Sequence, residues 1–200
     1  MRPTRTLAVL AVLVAGLAVM PSAQAAAGDD TEAGGRGARA VVRDVGGAVV
    51  GIVSLHTNRG KLTVSGRLTG LSPGFHGFHV HAVGVCDPAA TDPAGTVVPF
   101  LSAGGHLDVD GSTHGHHAGD MPVLFVAADG TALTVTENDR LTMARLFDAD
   151  RSAVIIHALP DNYANIPARY SAAGVPGPDA ATRAAGDAGA RVACGVVVRR

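Results

Sequence analysis

The chain has no excess of positive charge. Its 200 residues carry 16 Lys and Arg against 17 Asp and Glu. If Arg2 and Arg5 leave with an N-terminal signal, 14 bases face 17 acids, a net charge of −3. That balance argues against nucleic-acid binding, and no basic amphipathic helix is present to lie on a membrane surface. Long apolar runs are also lacking. Residues 7–20, a run of Leu, Val and Ala, are too few to span a bilayer comfortably. They follow Arg2 and Arg5, are broken by Pro21 and Ser22, and precede the small-x-small triplet Ala23-Gln24-Ala25. Residues 1–25 therefore read as a secretory signal peptide with cleavage after Ala25, or nearly as well after Ala27. Cysteine is scarce: only Cys86 and Cys194 occur. An even pair in an exported chain reads as one disulfide. It would close a loop of over a hundred residues and contribute about 4–5 kcal/mol in the chain-entropy picture. Neither cysteine lies near the cleavage site, which argues against a lipoprotein anchor.

Long helical periodicity and internal repeats are missing too. Residues 26–39 are rich in Gly, Ala and acids without apolar periodicity, and are expected to form a disordered leader. The domain is expected to occupy residues 40–200. Residues 40–43, 48–56 and 61–68 are short β-branched runs separated by Gly46-Gly47 and Asn58-Arg59-Gly60. Further strands are expected over 75–82, 121–127, 131–136, 153–157 and 192–199, with Ala128-Asp129-Gly130 as a hairpin turn. About eight short strands without a long helix predict an all-β antiparallel sandwich or barrel. Two stretches, residues 86–119 and 158–190, have little regular pattern. Long loops of this kind in a small domain are usually functional or disordered. These hold or border most of the nine histidines, which favours function.

His79-Val80-His81 is the central pair. On a strand, residues i and i+2 point to the same face, so the two imidazoles stand side by side while Val80 faces the core. The loop adds His106, His114, His117 and Asp120 at the spacing His-x7-His-x2-His-x2-Asp. Three imidazoles and one carboxylate match the ligand types and number of a closed tetrahedral zinc site. A loop with few apolar residues needs something to order it, and a metal would do so. His116, beside His117, is a rival ligand. His157 ends an apolar strand, a rigid base from which to reach a pocket. His56 reads as an ordinary strand residue.

Five segments, in order, are Gly74-Phe75-His76-Gly77-Phe78-His79-Val80-His81, Ser102-Ala103-Gly104-Gly105-His106, His117-Ala118-Gly119-Asp120, Val154-Ile155-Ile156-His157, and Gly186-Asp187-Ala188-Gly189-Ala190-Arg191-Val192-Ala193-Cys194-Gly195. Together they resemble the successive motifs of the copper,zinc superoxide dismutase family, over residues 40–198. The resemblance implies a Greek-key β-sandwich or flattened barrel whose two long loops form the metal site. It implies copper on His79, His81, His106 and His157, and zinc on His106, His114, His117 and Asp120, with His106 bridging the two. Asp161, four residues after His157, resembles the carboxylate that hydrogen-bonds one ligand of each metal. Arg191 resembles the guanidinium that guides superoxide, and Cys86 and Cys194 resemble the family's disulfide. His76 resembles a packed histidine beneath the copper site that is not a ligand. Cys86 five residues after His81, and Gly104-Gly105-His106-Leu107-Asp108, are similar to the bacterial periplasmic branch. The stretch from His106 to Asp120 is shorter than is usual in the family.

The activity implied is conversion of superoxide to dioxygen and hydrogen peroxide by alternating reduction and oxidation of copper, with His106 as proton donor. The location implied is extracytoplasmic, as a monomer or homodimer free of membrane after signal cleavage. A metal-binding module without turnover is the rival, but it has no need of an anion guide such as Arg191. A zinc hydrolase fits less well, because no Asp-His follows His79-Val80-His81 and no nucleophilic Ser or Cys motif is evident.

Overall fold

Alternation along each strand decides what turns inward. In β3 (Lys61–Leu68), Leu62, Val64, Gly66 and Leu68 are buried, and the residues between them face outward. The same period buries Ala38, Ala40 and Val42 in β1 (Gly37–Asp44). In β2 (Val49–Asn58) the phase slips between Val50 and Val53, where the β1 pairing register also shifts, the mark of a β-bulge. The computed structural model describes residues 37–200. The expected signal peptide, residues 1–25, and the leader's residues 26–36 lie outside the described residues. The first strand begins before Ala40, where the sequence pattern places it. Ala38 is fully buried and pairs with both Leu55 and Arg199, so Gly37, Ala38 and Arg39 belong to β1 and not to the leader. A Gly-Ala-Arg run has no large apolar residue to announce this.

The remaining strands are β4 (Gly74–His76), β5 (Phe78–His81), β6 (Leu124–Val126), β7 (Ala132–Asn138), β8 (Ala153–His157), the short pair β9 (Ser171–Ala172) and β10 (Val175–Pro176), and β11 (Arg191–Arg199). The main sheet has the order β5-β8-β11-β1-β2-β3-β7, antiparallel throughout, and β4 pairs with β6. β4 and β5 are one strand interrupted at Gly77. Its first half pairs with β6 and its second with β8, carrying the chain from one sheet to the other. Counted that way, eight principal strands form a flattened barrel. Crossovers between β3 and β4 and between β7 and β8 make it a Greek key.

The barrel interior is filled by residues such as Val53, Leu55, Val64, Leu68, Phe78, Val80, Val154, Ile156 and Val197. A second, smaller cluster lies on the outside of β8 and β11. There Phe100, Ala103, Ala153, Ile155 and Cys194 are buried together, with Cys86 packed against them. Every residue of β5 and β8 is consequently buried. The loops are not wholly irregular. α1 (Met143–Leu146) follows β7, and α2 (Ala180–Ala185) stands in the second long loop. The Asp179 side chain caps α2 by accepting from the Thr182 N–H, and Gly186 ends it in a left-handed conformation. Its Ala-rich single turn and a half carries no amphipathic period by which to find it.

Cys86 and Cys194 form the disulfide, joining the first long loop to β11 across 108 residues with Cα atoms 5.7 Å apart. Replacing both with Ser is expected to lower the free energy of unfolding by about 2–5 kcal/mol. Urea denaturation of the metal-free protein reads this directly. A loss well under 1 kcal/mol would show that the outer cluster holds the loop unaided.

Candidate metal centre

β5 sends Phe78 and Val80 into the core and His79 and His81 to the opposite face, beneath the loops. β8 brings His157 beside them. The His157 Nε2 lies 3.4 Å from His81 Nε2. From the loop, His106 forms a bridge with His81 and sets its ring 3.9 Å from that of His79, centroid to centroid. His79, His81, His106 and His157 each offer one ligand atom, all within 4.8 Å of one another. The nitrogens facing away are occupied. His79 Nε2 donates to Asp161 Oδ2 at 2.6 Å, His81 Nδ1 to the Gly104 carbonyl at 2.9 Å, and His157 Nδ1 to the Gly189 carbonyl at 3.1 Å. With those nitrogens protonated, the lone pairs of the others point at one common space.

The second group meets the first through His106. Its Nδ1 lies 2.8 Å from Asp120 Oδ1 and 3.2 Å from His114 Nδ1. His114 Nδ1 and His117 Nδ1 stand 3.3 and 3.4 Å from the same Asp120 oxygen. The other oxygen, Oδ2, accepts the N–H groups of Gly115 and His117. The group whose ligand atoms all lie within 4.8 Å of one another is His79, His106, His114 and Asp120; His117, expected in this group, is not among them, although its Nδ1 is 3.4 Å from Asp120 Oδ1. Asp161 links the groups, since its Oδ1 accepts from His114 Nε2 at 2.7 Å. His116 is exposed on the outer surface of the loop, so the structure brings His117, and not His116, to Asp120.

Whether metals fit can be tested on atoms that lack partners. His79 Nδ1, His106 Nε2 and His117 Nδ1 are buried without a hydrogen bond. Buried nitrogens in that state are costly unless something binds them. The convergence of the lone pairs supplies the reason for it. His76 differs: its two nitrogens contact the carbonyls of His157 and Ser72 at 2.6 and 2.8 Å, leaving neither for a metal.

Burial sets the charge states. It pushes His81 well below the ordinary imidazole value and lowers His79 despite the opposing pull of Asp161. It also takes His106 to about 4, against Asp120, and His157 to about 3, helped by His79. These rings are neutral, the form that ligates metal. For His114 burial works downward too, but Asp120 and Asp161 outweigh it and raise the group to about 9. Burial would raise both carboxylates. The hydrogen bonds from His106 and His114 to Asp120, and from His114 and His79 to Asp161, hold them well below the usual range.

Arg191 opens β11 directly across from His157. Its Nη1 donates to the Phe100 carbonyl and its Nη2 to the Gly104 carbonyl, each at 2.6 Å. The half-buried guanidinium is thus a fixed cation beside the four-histidine group. Sequence reasoning does not reach the Phe100, Gly104 and Gly189 carbonyls, because every residue has a carbonyl and sequence carries no mark of those that matter.

Comparison with known proteins agrees with this geometry. The family model for copper/zinc superoxide dismutase (SODC) matches residues 49–197. The chain belongs to the copper/zinc superoxide dismutase family. It is 46% identical over 157 residues to superoxide dismutase [Cu-Zn] of Mycobacterium tuberculosis, covering 76% of this chain and 65% of that protein. The chain thus spans somewhat under two thirds of the mycobacterial relative's length. Against superoxide dismutase [Cu-Zn] of Photobacterium leiognathi the identity is 37% over 158 residues, covering 76% and 80%. Among solved structures, the Cu/Zn superoxide dismutase of Brucella abortus superposes with a TM-score of 0.60 at 29% identity, covering 80% of this chain and 98% of that one. The family's two metals suit the two donor groups: imidazole serves copper and zinc alike, and the mixed imidazole and carboxylate group suits zinc.

These charge states predict how the metal-free protein responds to pH. His79, His81, His106 and His157 stay neutral when folded but protonate near 6.5 when unfolded. Stability therefore falls as pH drops below 6.5, by up to about 1.4 kcal/mol per pH unit for each such ring. His114 acts oppositely: its contribution is complete below 6.5 and is lost as pH rises through about 9. Four rings act on the acid side and one on the alkaline side. Urea midpoints of the metal-free protein should peak near neutrality and fall more steeply toward pH 5 than toward pH 9. A flat acid limb would contradict the neutral-ring assignment.

Proposed function

We propose that this chain is an exported superoxide dismutase, converting superoxide to dioxygen and hydrogen peroxide. The observation that carries the reading is His106, whose Nε2 faces the four-histidine group while its Nδ1 faces Asp120 and His114. On this reading His79, His81, His106 and His157 hold copper, and His106, His114, His117 and Asp120 hold zinc. Copper, when bound, supplies a one-electron change that one superoxide drives and the next reverses, while zinc, which has no redox change, supplies order and charge.

The chain's own residues do the rest. Arg191 stays protonated at any working pH and attracts and orients the anion beside the four histidines. In an otherwise acidic chain, a fixed cation in a cleft raises the encounter rate by about 10–10³. In the half of the cycle in which it does not hold the metal, His106 Nε2 would take a proton from water, and in the other half it would give that proton to the reduced oxygen species as general acid. Water supplies the second proton of hydrogen peroxide. Asp161 keeps the rings of His79 and His114 in one orientation by accepting from both.

Export is supported by the signal-like residues 1–25 and by the disulfide, which persists in oxidising compartments. No helix among the described residues is long and apolar enough to cross a membrane. The partner proposed is the superoxide anion alone, with the chain acting as a monomer or homodimer.

The test expresses the chain from Ala26, loads it with copper and zinc, and measures bound copper beside superoxide decay. Near one copper per chain with fast decay is expected. His79→Ala should lose copper, and Arg191→Ala should slow decay by roughly 10-fold or more while flattening its dependence on ionic strength. Firm copper binding without copper-dependent decay would sink the reading and leave a metal-handling module.

A further inference from the structure

The Asp161 carboxylate answers to two groups at once, so its orientation matters more than its charge. Oδ2 accepts from His79 Nε2 at 2.6 Å and Oδ1 from His114 Nε2 at 2.7 Å. A rotation that improves one bond weakens the other. The Tyr163 N–H supplies a third contact, donating to Oδ1 at 2.7 Å. To do so the chain adopts an unusual course. Tyr163 and Ala164 have φ of 55° and 54°, two successive non-glycine residues in the left-handed region. Such conformations persist where the surroundings hold them, and they cluster at functional sites.

The surroundings are identifiable. The Tyr163 hydroxyl accepts the Val123 N–H at 2.7 Å, fastening this turn to the segment that leads from Asp120 into β6. Asn162 N–H donates to the Gly186 carbonyl at 2.9 Å, fastening the turn's other side to the end of α2. Gly186, at φ 58°, lies directly against the Asp161–His114 hydrogen bond. A Cβ there would overlap Asp161 Oδ1 and His114 Nε2, and would stand 2.6 Å from His114 Cδ2.

We propose that Tyr163 and Gly186 are positioning residues that clamp the Asp161 carboxylate, so that its aim, and through it the metal affinity of both groups, depends on the Tyr163 hydroxyl and on the bare backbone at Gly186. The proposal rests on the two-metal reading above and extends it to residues that touch no metal-facing atom (Tyr163) or carry no side chain (Gly186).

The experiment measures zinc affinity of the copper-free chain by competition with a chromophoric chelator. It also follows cobalt placed at the zinc position by visible absorption, and urea unfolding of the metal-free protein. Loss of partners that orient metal ligands costs about 10–100-fold in affinity. Tyr163→Phe, which removes only the hydroxyl, should weaken zinc roughly 10-fold and shift the cobalt spectrum, with little change in the metal-free urea midpoint. Gly186→Ala should weaken zinc roughly 100-fold. If Gly186→Ala does not fold, Tyr163→Phe decides alone. Zinc affinity and cobalt spectrum unchanged in Tyr163→Phe would overturn the clamp, as would a loss of metal-free stability that leaves zinc affinity intact. No zinc binding by the unaltered chain would overturn the two-metal reading and the clamp together.

Discussion

A neutral imidazole has one N–H and one lone pair, and the centre of this protein is built on that asymmetry. Bringing several rings together in a buried space is favourable only if each proton points outward and each lone pair inward. Asp161, the Gly104 carbonyl and the Gly189 carbonyl fix the protons of His79, His81 and His157. What remains is a converging set of lone pairs with no hydrogen-bond donor among them. Desolvation then keeps the rings neutral, and the same burial that makes the metal-free state unstable toward acid makes the site receptive to a cation. His106 differs in that the partner of its Nδ1 is Asp120, itself a member of the second group. It stands between two groups and offers a nitrogen to each.

The barrel supplies the rigidity this requires. β5 and β8 are buried on both faces, on one side by the core and on the other by the loops. A side chain on such a strand has little freedom. The loop from His106 to Asp120 is tied to the same strand through backbone hydrogen bonds. Val80 donates to the Gly119 carbonyl and accepts from Leu107, while Gly119 donates to Leu107. A Cβ at Gly119 would strike the Val80 carbonyl, so the loop approaches the strand as closely as a backbone can. Thus Asp120 and His106, at the two ends of the loop, are placed by the residue between His79 and His81.

Much of this was legible beforehand, for physical reasons. Residues i and i+2 on a strand share a face, so His79 and His81 could be read as neighbours from the strand pattern alone. The alternation of β3 and the apolar run of β8 showed equally well where strands lie. Which of His116 and His117 turns inward was not legible, because a glycine-rich loop has no period to say so; in the structure it is His117 that approaches Asp120. The start of β1 is not legible because small residues such as Ala38 bury without looking apolar. The carbonyls that orient the rings, and the turn at Tyr163, depend on backbone geometry that no residue type announces.

One of those carbonyls connects stability to chemistry. Gly104 accepts from both His81 Nδ1 and Arg191 Nη2, so a ring of the four-histidine group and the proposed anion guide share an anchor. The second anchor of Arg191 is the carbonyl of Phe100, whose ring is buried in the outer cluster with Cys194 and against Cys86. The disulfide therefore fixes the loop whose carbonyls aim the guanidinium. Arginine's charge would survive loosening of that loop, but its direction would not. On the proposed reading, long-range attraction of the anion rests on charge, whereas its orientation beside the four histidines rests on the two hydrogen bonds that aim the guanidinium. Opening the disulfide should consequently separate the two roles, leaving the salt dependence of encounter largely in place while the final alignment of the anion degrades.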